Sequence, residues 1–114
     1  MSLSKKLQIP VGVATCVVDA PHGFTLDGPV TNDPEAGAVL AFARDRKALT
    51  ANAGPAFAAA RADRIAWIAY PKAGQRGTDL DRDILWELLK AERIRPVRQV
   101  SIDDTWSALR FRPG

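Results

Sequence analysis

Three short, mostly apolar runs constrain the fold of this chain more than any other feature. They span Val11–Val18, Ala38–Ala43 and Ile65–Tyr70, and breaker or charged residues follow each of them. Apolar runs of this length without regular polar alternation are typical of strands covered on both faces, as in the parallel sheets of α/β proteins. We therefore predict three buried strands at the centre of a sheet.

A helical pattern fills the segment between the second and third runs. Asp45 is placed to act as the N-cap, and apolar residues recur from Arg46 onward with a spacing that puts them on one helix face. Gly54-Pro55 interrupts the pattern, and a proline deep in a helix costs about 3 kcal/mol. We expect a kink here, or two short helices with Pro55 in the first turn of the second.

A second amphipathic helix is predicted after the third run. Thr78 or Asp79 is the expected N-cap, and the helix should continue to about Glu92. Its apolar stripe consists of Leu80, Ile84, Leu85, Leu88 and Leu89. The segment between residues 25 and 37 contains several prolines and glycines and receives no predicted element.

Two strands complete the predicted sheet, at about Pro96–Ile102 and Trp106–Phe111. The link between them is short, so they must be antiparallel. The expected fold class is α/β, a three-layer α/β/α Rossmann-like sandwich. Its sheet is expected to be mostly parallel, with about five strands and an antiparallel C-terminal strand. The length predicts a single domain over residues 1–114.

Charge and cysteine content exclude several functional classes. The formal charge of +3 is too small to argue by itself for a nucleic-acid partner. Cys16 is the sole cysteine, which rules out an internal disulfide, and its valine neighbours indicate an inert buried thiol. No apolar run approaches the ~20 residues of a membrane helix, and the first residues lack the apolar core of a signal peptide. We therefore expect a cytoplasmic protein without a membrane partner.

The second half of the chain resembles a known family. The residues that carry the resemblance are Tyr70-Pro71-Lys72, the run Thr78–Asp83 and the run Asp103–Arg112. They are similar to a group of small bacterial proteins catalogued as a domain of unknown function, with the specific match at Ile65–Pro113. That family carries no assigned activity, so the resemblance implies no catalytic residue and no cofactor.

The order of predicted elements also resembles the C-terminal half of class I methyltransferases. This analogy places the reversed last strand between the third and fourth predicted strands, and fold alone does not imply function. Such enzymes need a glycine-rich loop after the first strand to approach the cofactor, whereas the loop from Asp19 to Phe24 contains only Gly23. A degenerate methyltransferase-like enzyme remains an alternative, and binding of S-adenosylmethionine is not favoured.

A candidate ligand rim follows from the expected sheet. Ligands of open parallel sheets bind at the carboxyl ends of the strands, where three breaker-rich loops should meet. The candidate residues on this rim are His22, Lys72, Arg76, Asp79, Arg82, Asp103, Asp104 and Trp106.

Each candidate has a structural alternative. Lys72 and Arg76 are placed to hold an anion at the N-terminus of the second predicted helix, but the aspartates there also serve as caps and repel an anion. Arg82 either contacts a ligand or pairs with Asp103 or Asp104 to tie the last turn to the helix, and the pair is favoured.

The remaining rim residues divide in the same way. His22 is either a general base or an exposed loop side chain, and Trp106 either stacks on a planar ligand or anchors its turn. Asp103 and Asp104 as metal ligands would need further donors, with Asp19 and His22 the nearest choices, and no metal site is predicted.

Five arginines gather near the C-terminus and form a second candidate surface. They are Arg93, Arg95, Arg98, Arg110 and Arg112. A solvated face is the favoured interpretation, because no nucleic-acid motif or pair of stacking aromatics accompanies them. The preferred function is a non-enzymatic binding or interaction domain with a small anionic-ligand site on the rim. A nucleic-acid accessory role for the arginines is an alternative, but a nucleic-acid partner is not favoured.

Overall fold

The structure is a computed structural model that describes residues 2–72 and 78–114. Strands supply most of the centre, and short helices or loops connect them. The elements in chain order are α1 Leu3–Lys6, β1 Thr15–Val18, β2 Val30–Thr31, β3 Ala38–Phe42, α2 Arg46–Asn52, α3 Gly54–Arg61, β4 Ile65–Pro71, α4 Arg82–Lys90, β5 Ile94–Ser101 and β6 Trp106–Pro113.

The strands form one six-stranded mixed sheet in the order β2-β1-β3-β4-β6-β5. The pairs β1–β2, β1–β3 and β3–β4 are parallel, whereas β6 is antiparallel to both β4 and β5. The last strand thus lies between the two strands that precede it, which confirms the neighbour order expected for these strands. The antiparallel β5–β6 pair follows from the short link between them.

Helices α2, α3 and α4 pack on one face of this sheet, which we call the helix face. Alanines of α3 lie against β3 and β4, and their small side chains let the helix approach the strands closely. Leu85 and Leu89 of α4 extend the same core toward Leu109 and Phe111 of β6. Burial of these side chains is the main stabilising term on this side of the sheet.

The opposite face, which we call the loop face, has a different cover. Residues 2–14, including the single turn α1, lie over Leu40 and Trp67, and the connection from β1 to β2 adds Phe24 and Leu26. The Trp67 Nε1–H donates to the backbone oxygen of Leu7 at 2.8 Å in a buried hydrogen bond. This bond fixes the N-terminal segment to the centre of the sheet.

The predicted fold class, a three-layer Rossmann-like sandwich on a mostly parallel sheet of about five strands, is therefore wrong. The sheet has six strands and is mixed, and the three longer helices all lie on the helix face. The connection between β1 and β2 contains Pro21, Gly23, Gly28 and Pro29, which cannot continue a helix across the second face. A loop and one helical turn cover that face instead.

The boundaries of the helices agree in part with expectation. Asp45 caps α2 by accepting a hydrogen bond from the Ala48 backbone N–H at 2.8 Å, and the chain breaks into α2 and α3 at Gly54-Pro55. The expected cap of the last helix is wrong. Asp81 caps α4 by accepting from the Ile84 N–H at 2.8 Å, so the helix begins at Arg82 rather than after Thr78 or Asp79.

Candidate functional site

The three predicted rim loops follow β1 and β4 and precede β6. Because Pro71 at the end of β4 pairs with Trp106 at the start of β6, these segments lie at one edge of the sheet. The sheet itself separates their side chains. Trp106 belongs to the core on the loop face, whereas Tyr70 belongs to the core on the helix face. The expected single rim is consequently two clefts on opposite faces.

We call the cleft on the helix face the helix-side cleft. Its volume is about 400 Å³, and it lies where the N-terminus of α4 meets β4, β5 and β6. Its described lining residues are Tyr70, Lys72, Asp81, Arg82, Asp83, Gln99 and Ser107. Lys72 and Arg82 were predicted to share a site, and both line this cleft.

Two hydroxyl groups form the floor of the helix-side cleft. Tyr70 is 2% exposed, and its hydroxyl oxygen accepts a hydrogen bond from Gln99 Nε2 at 3.1 Å. Burial raises the pKa of Tyr70, Arg82 opposes that rise, and Asp81 and Asp83 add to it. The phenol therefore keeps its proton near neutral pH and is a hydrogen-bond donor.

Ser107 lies directly opposite Tyr70 in the β4–β6 register. It is 7% exposed, and within the described residues its hydroxyl makes no side-chain hydrogen bond. Among the described residues, the buried side-chain polar atoms without a partner are Thr15 Oγ1 and Arg110 Nε, so the Ser107 hydroxyl reaches solvent in the cleft and can donate to a ligand there. Ser107 therefore adds a second hydroxyl donor to the floor of the cleft.

The charged groups of the helix-side cleft lie around its opening. Lys72 Nζ donates to Ser101 Oγ at 2.8 Å, which holds the ammonium group beside the end of β5. Arg82 does not pair with Asp103 or Asp104, contrary to expectation. Its nearest carboxylate contact in the described structure is Asp83, at 3.5 Å from Nη2 to Oδ1.

The second cleft, on the loop face, has a volume of about 270 Å³. We call it the His22 cleft, and its described lining residues are Asp19, Ala20, Pro21, His22, Phe42, Arg44 and Trp106. Asp19 pairs with Arg44 at 3.0 Å and also accepts from Asn52 at 3.1 Å. The charges of Asp19 and Arg44 therefore balance one another within the cleft.

Two predicted residues, His22 and Trp106, meet in the His22 cleft. His22 is exposed, and Trp106 is 5% exposed with its ring edge-on to Phe42 at a centroid distance of 5.1 Å. Such burial favours the role of turn anchor over stacking on a ligand, since little of the Trp106 ring is accessible.

The other predicted rim residues have local structural roles or lie apart. Asp79 Oδ1 accepts from the Arg46 backbone N–H at 2.8 Å, and Asp103 Oδ1 accepts from the N–H groups of Thr105 and Trp106, both at 2.8 Å. Asp104 is exposed and lines neither cleft. Arg76 lies outside the described residues.

Cysteine and metal chemistry have little support in the described structure. Cys16 is buried, and burial, with a smaller contribution from Asp33, raises the pKa of its thiol. This keeps the thiol protonated and unreactive. Across residues 2–72 and 78–114, no three histidine, cysteine or acidic side chains come together as metal ligands would.

The sequence reasoning missed Tyr70, Gln99 and Ser107. The signal for Tyr70 was present, because it precedes Lys72 by two positions in an extended strand and so shares its face. Gln99 and Ser107 join the cleft only through the pairing of β4, β6 and β5, which no local pattern reveals.

Comparison with known proteins adds no assignment. No family model, no curated protein and no solved structure matches this chain. The resemblance of residues 65–113 to a small bacterial family stays a prediction. Among the helices of the described residues, none has both the length and the apolar character needed to cross a bilayer.

Proposed function

We propose that this chain is a cytoplasmic, non-enzymatic binding domain that holds a small anionic ligand in the helix-side cleft. The observation that carries the proposal is the set of donor groups that line this one cleft, which are the hydroxyls of Tyr70 and Ser107 and the cationic side chains of Lys72 and Arg82. A cleft volume of about 400 Å³ lies within the range of small-molecule sites.

The donor groups around Ser107 suit an anion. The Tyr70 oxygen already accepts from Gln99, so its own proton is available to a ligand. Lys72 and Arg82 add two cationic donors at the opening. Phosphate and carboxylate oxygens accept several such bonds at once, and charge assistance makes these bonds roughly twice as strong as neutral ones.

The two nearby carboxylates are partly committed to other groups. Asp81 Oδ1 accepts from the Ile84 N–H as the cap of α4, and the Asp83 side chain is 83% exposed beside Arg82. The described lining contains neither histidine nor cysteine, the side chains that most often supply a base or nucleophile near neutral pH. These features support binding rather than catalysis.

Thermal-shift titration at constant ionic strength tests the proposal. The probes are inorganic phosphate, pyrophosphate and succinate, and binding to the folded chain should raise its melting temperature. The effective probe should bind Ser107→Ala at least about tenfold more weakly, because a hydrogen bond to a charged acceptor contributes about 1.5–3 kcal/mol. Ser107→Ala should stay folded, since its hydroxyl makes no side-chain bond to the described residues.

A pair of lysine variants provides the matched control. Lys72→Gln should reduce the shift, whereas Lys47→Gln removes the same charge from an exposed position on α2 and should not. The proposal fails if none of the three probes stabilises the chain. It also fails if the two lysine variants respond alike.

A further inference from the structure

The β5–β6 hairpin places arginines directly opposite one another. In its register, Arg95 faces Arg112 and Arg98 faces Arg110. Opposed residues of an antiparallel pair point to the same side of the sheet, so the four side chains share one face. We call these four residues the arginine face.

The arginine face lies on the loop face of the sheet. Arg110 is also opposed by Trp67 of β4, and Trp67 packs beneath the N-terminal segment. The helix-side cleft is on the other face, so the two surfaces are independent of one another.

Little negative charge balances this face. Asp63 forms two hydrogen bonds with Arg112, at 3.1 and 3.2 Å. Arg110 donates to the neutral side chain of Gln8 at 2.6 Å, and Arg95 donates to the backbone oxygen of Pro113 at 3.2 Å. In the described structure, Arg112 is the one member of the face with a carboxylate within 4.0 Å.

Like charges opposed across two strands destabilise a sheet, whereas opposite charges stabilise it. Burial lowers the pKa of Arg110 most, Arg112 and Arg98 lower it further, and Asp63 opposes the shift. A surface that keeps two such pairs is complementary to an extended, multiply charged anion.

We propose that the arginine face binds the phosphate backbone of a double-stranded nucleic acid. Guanidinium groups match phosphate oxygens in two-point contacts, and the hairpin places four of them on one face as two opposed pairs, on either side of a register shift between Pro96 and Arg98. Contacts of this kind give affinity without reading base sequence.

The arginine face has no exposed aromatic side chain in the described part of the chain, and this favours a duplex over a single strand or a membrane surface. Among the described residues, the large exposed apolar side chains are Val11, Val30, Trp86 and Val97, and none of them is an aromatic on the arginine face. Single strands and membrane surfaces are usually held with the help of aromatic side chains, for base stacking or for interfacial anchoring. Duplex phosphates need only the cations.

Fluorescence anisotropy with a labelled DNA duplex of about 20 base pairs tests this proposal across a salt series. Four phosphate contacts predict a slope of log Kobs against log salt of about −3.6, so a fourfold rise in salt weakens binding by roughly a hundredfold. The double variant Arg95→Gln/Arg98→Gln should reduce the steepness of the slope by about 2.

The matched control is Arg46→Gln/Lys47→Gln, which removes the same charge from exposed positions of α2 on the helix face. It should leave both the slope and the affinity unchanged. Circular dichroism of both double variants confirms that they remain folded, which is expected because the four replaced side chains are exposed.

Three results would overturn the proposal. One is no binding at low salt, and another is an equal loss in the two double variants, which would indicate net charge alone. The third is equal or tighter binding of polyglutamate or anionic vesicles, which would assign the face to an acidic protein or a membrane. None of these results depends on the small-ligand titrations of the helix-side cleft.

Discussion

Thr15 offers a substitution that should stabilise the protein. It lies in β1 between β2 and β3, is 1% exposed, and its hydroxyl has no hydrogen-bond partner among the described residues. Thr15→Val replaces the hydroxyl with a methyl group of similar size and keeps a β-branched residue in the strand. The change removes an unsatisfied buried polar group, which costs about 1–3 kcal/mol, and adds about 0.8 kcal/mol of apolar burial.

We therefore expect Thr15→Val to raise the free energy of unfolding by about 2 kcal/mol, or the melting temperature by roughly 8 °C. Urea denaturation followed by tryptophan fluorescence measures the change as a higher midpoint at unchanged m-value. Thr15→Ser is the opposite control, because it keeps the hydroxyl and loses the methyl, and it should destabilise by about 1 kcal/mol.

The reasoning is refuted if Thr15→Val is less stable than the parent chain. Thr15 borders a small cavity of about 110 Å³ beneath residues 9–13. Destabilisation would show that the hydroxyl is satisfied through a water molecule held in that cavity.

Three further predictions concern caps, packing and pH. Asp45→Ala removes the cap bond to the Ala48 N–H and should cost about 1 kcal/mol in urea denaturation, whereas Asp45→Asn should retain most of it. Leu89 is a fully buried residue of α4, so Leu89→Ala should open a cavity between the helix and the sheet. A decrease of less than about 2 kcal/mol in the free energy of unfolding would contradict this packing. Hydrogen bonds from Arg112 lower the pKa of Asp63, so its stabilising effect is complete above an ordinary aspartate pKa of about 4 and is lost as pH falls through the lower folded value. Acid titration of stability should therefore show a smaller decline in Asp63→Asn than in the parent chain.

Local patterns were sufficient for two of the three central strands and for the helix break, whereas the strand predicted at Val11–Val18 begins only at Thr15. The strand predicted at Ala38–Ala43 is found at Ala38–Phe42. The strand predicted at Ile65–Tyr70 is one residue longer and ends at Pro71. Proline at the start of α3 acts through its own ring and its missing N–H. The break that it causes between α2 and α3 can therefore be predicted from the local sequence.

The cover of the loop face was not predictable in the same way. It depends on single apolar residues of irregular spacing, and the bond between Trp67 and Leu7 joins positions 60 residues apart. The short strand β2 has only two residues and lies in a segment rich in breakers. Local patterns do not reveal these elements, so they predict helices on both faces of the sheet.

The sequence predicted at which edge of the sheet the candidate site lies, but it did not predict on which face of the sheet each residue lies. Lys72 and Arg82 were placed together from loop positions alone, and both line the helix-side cleft. Trp106 lies across the sheet from them because side chains of successive strand residues point to opposite sides, and the loop after β1 brings His22 to the same cleft as Trp106. Ser107 joins the site only because β6 pairs with β4, and this pairing is not evident from local sequence.

The insertion of β6 between β4 and β5 has a consequence for biosynthesis. Until residues 106–113 leave the ribosome, β5 has no neighbour to bond with and β4 presents an open edge. Open edges invite pairing with other nascent chains, so the interval before the final strand emerges is the period of greatest risk for misassembly. Arrest of translation just before Trp106 should therefore yield a chaperone-dependent nascent chain, and release after Pro113 should yield a protease-resistant one.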